Sequence, residues 1–223
     1  MRAPHALAAT CVAVSAALLL SACGGGSKNS DDKIKDPGKD ITTSAPAPTT
    51  TSATPSPSAT GVGRPTITSF PPDAKDVFED QHTGDATKDA ILADNQQWVM
   101  ALDDGIFQGT AATKALGFYT AGRANDTVTL YVNGYLSKNY TWTGTVRFFD
   151  RKVTILGTGH ASVIYCSDES KAFLKNRKTG KVDNTPTTSD SYVLYNTDLK
   201  KNAQGVWQTD GMLQDRGAKQ CQP

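Results

Sequence analysis

The chain has 223 residues and is nearly neutral, with 23 Lys and Arg against 22 Asp and Glu. That balance leaves no global basic field, which excludes nucleic acid as an expected partner. Three histidines and four cysteines, without C-x-x-C spacing, are too few and too scattered for a zinc site, and no cofactor is implied.

The N-terminus reads as an export signal. Arg2 gives a short positive region, and Ala6 to Leu20 is an almost unbroken apolar run. Small residues follow, in the layout of a secretory signal peptide. The run is short for a membrane span, which needs roughly 20 apolar residues. Leu20-Ser21-Ala22-Cys23 resembles the bacterial lipoprotein signal. That resemblance implies a diacylglyceryl group on the Cys23 thiol, cleavage after Ala22, and Cys23 as the mature N-terminus. Residues 1–22 are then the signal peptide, and the lipidated Cys23 meets membrane lipid as its partner. Two or more acyl chains give stable anchoring. The expected address is the outer, extracytoplasmic face of the cell membrane. The alternative is an ordinary secretory signal with an incidental cysteine.

Residues 23–65 read as a tether. The segment opens on Gly24-Gly25-Gly26 and becomes rich in Thr, Ser, Pro and Ala from Thr42 to Thr60. It holds too little apolar surface to offset its ordering entropy and is expected to be disordered. About 42 residues of this kind reach roughly 35 Å. A plain spacer is the expected role, with O-linked sugar on the Thr/Pro run as the alternative.

Residues 66–223 are expected to form one globular α+β domain. A short helix from Asp73 is possible after Pro71-Pro72. A strong helix begins near Asp85 or Thr87, either of which can cap it. Ile91, Leu92, Trp98, Val99, Leu102 and Ile106 form its apolar stripe, and Asp89, Asn95, Gln96 and Asp103 fall largely off it. Gly105 and Gly109 weaken its end, and a short helical piece follows around Ala111 to Leu116. Thr120 to Lys138 is ambiguous. Val128, Leu130 and Val132 alternate as in a strand, whereas Ala124, Val128, Tyr131 and Tyr135 share a helical face, with Thr120 as its cap. The rest reads as strands: Thr143 to Phe149, Lys152 to Gly157, His160 to Ser167, Ser191 to Thr197 and Gly205 to Gly211. Asp150-Arg151, Gly157-Thr158-Gly159 and Asn202 to Gly205 look like tight connections. Helices first and antiparallel strands after is an α+β layout.

Cysteines 11 and 23 leave with the signal or take the lipid, so Cys166 and Cys221 remain. Two cysteines in an exported chain read as one disulfide. It would close about 55 residues and contribute on the order of 4 kcal/mol. The alternative is two free buried thiols.

The order of parts, with Lys152-Val153-Thr154, Val163-Ile164-Tyr165-Cys166, Asp168-Glu169-Ser170, Lys178-Thr179-Gly180-Lys181, Tyr192, Gly205-Val206-Trp207-Gln208 and Cys221, resembles that of small actinobacterial lipoproteins. Their outer domain is nuclear-transport-factor-two-like, a cone of helices on a curved antiparallel sheet. The resemblance spans about Asp89 to Cys221 and departs at Thr127 to Leu136, where the family run is more clearly helical. It implies a third helix there and a Cys166–Cys221 disulfide. It implies no agreed activity, so function must come from the site.

Within a cone, Trp98, Asp150, His160, Tyr165 and Trp207 are the pocket candidates. Each has a plainer reading: a turn for Asp150, an exposed strand start for His160, core for the aromatics. Lys178-Thr179-Gly180 matches one piece of the penicillin-binding signature, but its only Ser-x-x-Lys partner, Ser30 to Lys33, lies in the tether, so a turn is the reading. Asn125-Asp126-Thr127 and Asn139-Tyr140-Thr141 match glycosylation sequons by chance. The leading expectation is a non-enzymatic domain that binds a small ligand or a cell-envelope protein. An isomerase- or cyclase-like enzyme and a purely structural envelope protein are the alternatives.

Overall fold

A computed structural model describes residues 63–223. The expected signal peptide, Cys23 and the expected tether up to residue 62 lie outside the described residues. The order of elements is β1 (Ala74–Phe78), α1 (Ala86–Gln108), α2 (Lys114–Tyr119), α3 (Ala124–Leu136), β2 (Tyr140–Gly157), β3 (His160–Asn176), β4 (Val182–Asp183), β5 (Tyr192–Lys201) and β6 (Trp207–Arg216). Three helices thus pack on one curved sheet of six strands, ordered β1-β2-β3-β5-β6 with the short β4 on β3. The class is α+β, as expected. The sheet is antiparallel except for β1, which pairs parallel with β2. Among the described residues no helix is long and apolar enough to cross a membrane.

The possible helix at Asp73 is instead the start of β1. Ala74, Asp76 and Phe78 share one face and stand opposite Gly144, Val146 and Phe148 of β2. Phe78 stacks on Phe148 with ring centroids 4.7 Å apart. Pairing with a long neighbour outweighs the weak helical signal of five residues.

Asp85 caps α1 by accepting from the Thr87 and Lys88 amides, and Gly109 closes it in the left-handed conformation. The helix is buried on nearly every side, because α2, α3 and the sheet all pack against it. Asn95 and Asp103, expected off the apolar stripe, are therefore inside.

The ambiguous stretch is helical. Ala124, Val128 and Val132 repeat every four residues and are buried, while Thr129 and Leu130 face outward. Thr120 does not cap it; it bridges to Thr209 on β6.

Asp150-Arg151 is not a connection between two strands. β2 runs straight through it as one 18-residue strand with a bulge between Phe149 and Lys152. A second irregularity near Thr145 follows Gly144, whose positive φ and close approach to the Lys171 carbonyl leave no room for a Cβ. Bulges of this kind bend a long strand, so one hairpin can wrap the helices. The turns at Gly157 to Gly159 and Asn202 to Gly205 are where the sequence places them.

Near the start of the described residues, Arg64 packs against α1. Its guanidinium pairs with the buried Asp94 carboxylate of α1, which also accepts from the Trp207 amide at 2.9 Å. Phe70 then sits against Phe107 and Trp142. At the other terminus Cys166 and Cys221 are joined, which pins the last turn to β3 beside Phe149, Tyr192 and Leu194. Replacing both cysteines with serine should lower unfolding free energy by about 4 kcal/mol. Denaturant melts of parent and variant check this, and coincident curves would show that the bridge carries no stability.

Candidate functional site

Between the inner face of the sheet and helices α1 and α3 lies a cavity of about 730 Å³. That volume is in the usual range for a small-molecule site. Its deep wall is aromatic. Trp142 and Phe148 come from β2, Tyr165 from β3 and Tyr195 from β5, at positions where strand alternation points inward. Tyr165 and Tyr195 stack at 5.1 Å. Tyr131 and Tyr135, one turn apart on α3, close the opposite side. Burial pushes the Tyr135 phenol up to about 12, and pushes those of Tyr131 and Tyr195 well above their ordinary value. All three remain protonated donors at neutral pH.

The floor carries a carboxyl. Asp103 of α1 lines the cavity, and its Oδ1 accepts from Trp142 Nε1 at 2.8 Å. Behind it stands Asp76, inward-facing on β1 between Ala74 and Phe78. Both Asp76 oxygens are buried, and no N–H group or hydroxyl among the described residues donates to them. The Asp103 carboxyl is their neighbour. Two carboxyls in contact do not ionise together, and burial disfavours either charge. Asp76 is pushed up to about 7 by burial, and Asp103 well above the carboxylate range by burial and by the Asp76 charge. Asp103 thus keeps its proton and offers it to Asp76.

Lys138, Thr185, Thr188 and Asp190 are exposed lining residues, and they mark where the cavity opens. Arg216 stands at this mouth in a two-pronged pair with Glu169, at 2.7 and 3.3 Å, and donates to the Asp190 carbonyl at 2.7 Å.

Of the five pocket candidates, only Tyr165 lines this cavity. Trp98 is a fully buried core peg whose Nε1 donates to Thr120 Oγ1 at 3.1 Å. Trp207 is buried beside Asp94. Asp150 is exposed, at positive φ in the β2 bulge, and its role is geometric: the bulge turns Arg151 inward. Arg151 donates to the Leu92 carbonyl at 2.7 Å, to Asn95 at 3.2 Å and to Gln81 at 2.8 Å, tying the sheet to α1. His160 opens β3 on the outer side, where its Nε2 lies 2.8 Å from Asp198 Oδ1. The Lys178 to Gly180 segment is a turn, with Asn176 Oδ1 accepting from two of its amides. Among the described residues no group of three or more His, Cys, Asp or Glu side chains converges as a metal site.

Asp103 and Asp76 were not singled out from sequence, although signals exist. Asp103 follows Val99 by four residues and Leu102 by one, and Asp76 takes the inward phase of Ala74-x-Asp76-x-Phe78. Both are polar residues at apolar positions, which is the signature to look for.

No family model matches the chain, and no curated protein is found to be related. Among solved structures it is similar to a ketosteroid isomerase-like protein from Erwinia carotovora atroseptica, at 16% identity and a TM-score of 0.40, over 57% of this chain and 93% of that one. It is also similar to a protein assigned as a ketosteroid isomerase from Shewanella frigidimarina, at 16% identity and a TM-score of 0.32, over 58% and 97%.

The acid pair has a pH signature. The unfolded chain releases these protons near pH 4, and the folded chain holds one of them to about pH 7. Stability from the pair is therefore fully present below about pH 4 and is lost as pH rises toward 7. Asp76→Asn should reduce that loss, leaving only the part that burial of the Asp103 carboxyl contributes. The variant should be more stable than the parent at pH 8 by roughly 2–4 kcal/mol and nearly equal at pH 4. Denaturant titrations at both pH values check this; a variant less stable at pH 8 would contradict it.

Proposed function

We propose that the chain is a lipoprotein anchored through Cys23 on the extracytoplasmic face, whose folded domain holds a small, largely apolar ligand in the cavity without transforming it. The observation that carries the binding part is the open, aromatic-walled cavity with convergent polar groups at its floor. The anchor rests on the Leu20-Ser21-Ala22-Cys23 motif after its apolar run. A purely structural envelope role fits less well, because a spacer needs a filled core rather than a cavity with a mouth.

One observation favours a second reading. Asp103 deep in the cavity, with phenols around it, is the kind of group an isomerase- or cyclase-like enzyme needs. Proton abstraction requires an ionised carboxylate at the cavity wall. Asp103 holds its proton, Asp76 lies behind it, and Glu169 is engaged by Arg216. Binding is the better fit to that charge arrangement.

Mass-spectrometric profiling of the chain isolated from its envelope tests the binding part. A small molecule should co-purify with the parent and be lost from Met212→Trp, which fills the cavity wall. An empty parent, or equal recovery from the variant, would contradict it. Labelled palmitate should appear on the parent and not on Cys23→Ser; an unlabelled parent would sink the anchor.

A further inference from the structure

The charge around Asp103 is one-sided. The charged groups that bear on it are Asp76 and Glu169, both acidic. Its one neutral donor in the described residues is Trp142. Behind it, both oxygens of Asp76 are buried and receive no N–H or hydroxyl donor among the described residues, only the proton that Asp103 offers. Native proteins seldom leave buried carboxyl oxygens without partners, and buried negative charge is normally matched by a cation. The cations that line the cavity are elsewhere. Arg216 is committed to Glu169 and the Asp190 carbonyl, and Lys138 is exposed at the mouth.

The walls around the floor are of one kind. Tyr131, Tyr135, Trp142 and Tyr195 present rings to the same space as Asp103. Aromatic faces attract cations, the more so when water is excluded. A carboxyl at the end of an aromatic-walled cavity is thus complementary to an organic ammonium. The apolar lining, and the lack among the described residues of a converging ligand set, fit such a group better than a metal ion.

We propose that the ligand of this cavity carries a positive charge, as an amine or quaternary ammonium on an apolar body, with its nitrogen seated against Asp103 among the tyrosine and tryptophan rings. The inference rests on the reading of the cavity as a ligand site. The ammonium supplies the missing counter-charge, so the acid pair is held with one shared proton and one negative charge. The apolar body lies toward the mouth, which keeps the cationic end away from Arg216.

The test uses the full mature chain carrying Cys23→Ser, which avoids detergent, and three probes of similar size. Benzyltrimethylammonium is the cation, neopentylbenzene its uncharged isostere, and 4-phenylbutan-2-one a neutral carbonyl compound. Chemical-shift titration at pH 8 should give binding of the ammonium tighter than either neutral probe by about tenfold or more. Asp103→Asn should remove that preference while leaving the affinity for neopentylbenzene in place. Asp76→Asn, which leaves the cavity wall unchanged, should weaken the preference too and serves if Asp103→Asn does not fold. Equal or tighter binding of a neutral probe overturns the charge inference and leaves the cavity as a ligand site. Failure of all three probes to shift cavity resonances overturns both.

Discussion

A helix buried on most of its faces must satisfy the polar side chains it carries inside within the protein, and that constraint governs this fold. Helix α1 carries Asp94, Asn95, Asp103 and Asp104 into the interior. Gln108 donates to Asp104 Oδ2 at 2.8 Å, and Asp104 Oδ1 has no partner among the described residues. Asp94 is met by Arg64 and the Trp207 amide. Asn95 is met by Arg151, delivered by the bulge in β2, and in turn donates to Thr197. Asp103 is met by the Trp142 indole. These contacts reach the segment entering the domain, the long β2 strand and the far β5–β6 hairpin. The helix is fixed in position and rotation by polar contacts as much as by packing, because each would be costly to leave unmade.

The four sites are not equally satisfied, and the one that also lines the cavity locates the candidate site. Asp94 and Asn95 have complementary partners, an arginine in each case. Asp103 has an indole and a second acid. It is also the one that lines the cavity. Of the four interior polar sites on α1, two are filled by guanidinium groups, Asp104 takes the Gln108 amide, and Asp103 faces an open aromatic space, which points to a group supplied from outside. Polar residues kept at such cost inside a core commonly mark a working site.

Much of the architecture was legible in the residues. Asp85 as a cap, the apolar stripe of α1, the late run of strands and the Asn202 turn are all local signals, and each is found in the structure. The Cys166–Cys221 bridge followed from counting cysteines once Cys11 and Cys23 are set aside as parts of the expected signal and lipidation site. What was not legible depended on distant partners. β1 exists because β2 offers it an edge, and α3 is a helix because Val128 and Val132 meet the core. Strand alternation and helical spacing compete on equal terms in Thr127 to Val132, and only packing decides. The cavity residues were harder still. His160 and Asp150 drew notice as titratable groups near strand ends, yet they face outward. Asp103 was hidden because one helix stripe was expected, whereas α1 is buried nearly all round.

The central claim is that two buried carboxyls share a proton at the cavity floor. Carbon-13 carboxyl NMR of the aspartates, followed from pH 3 to pH 10, tests it most directly. One aspartate, Asp76, should titrate near pH 7, and a second, Asp103, should hold its proton well beyond the ordinary carboxylate range. Complete ionisation of every aspartate by about pH 5, the range of unperturbed carboxylates, would contradict the account.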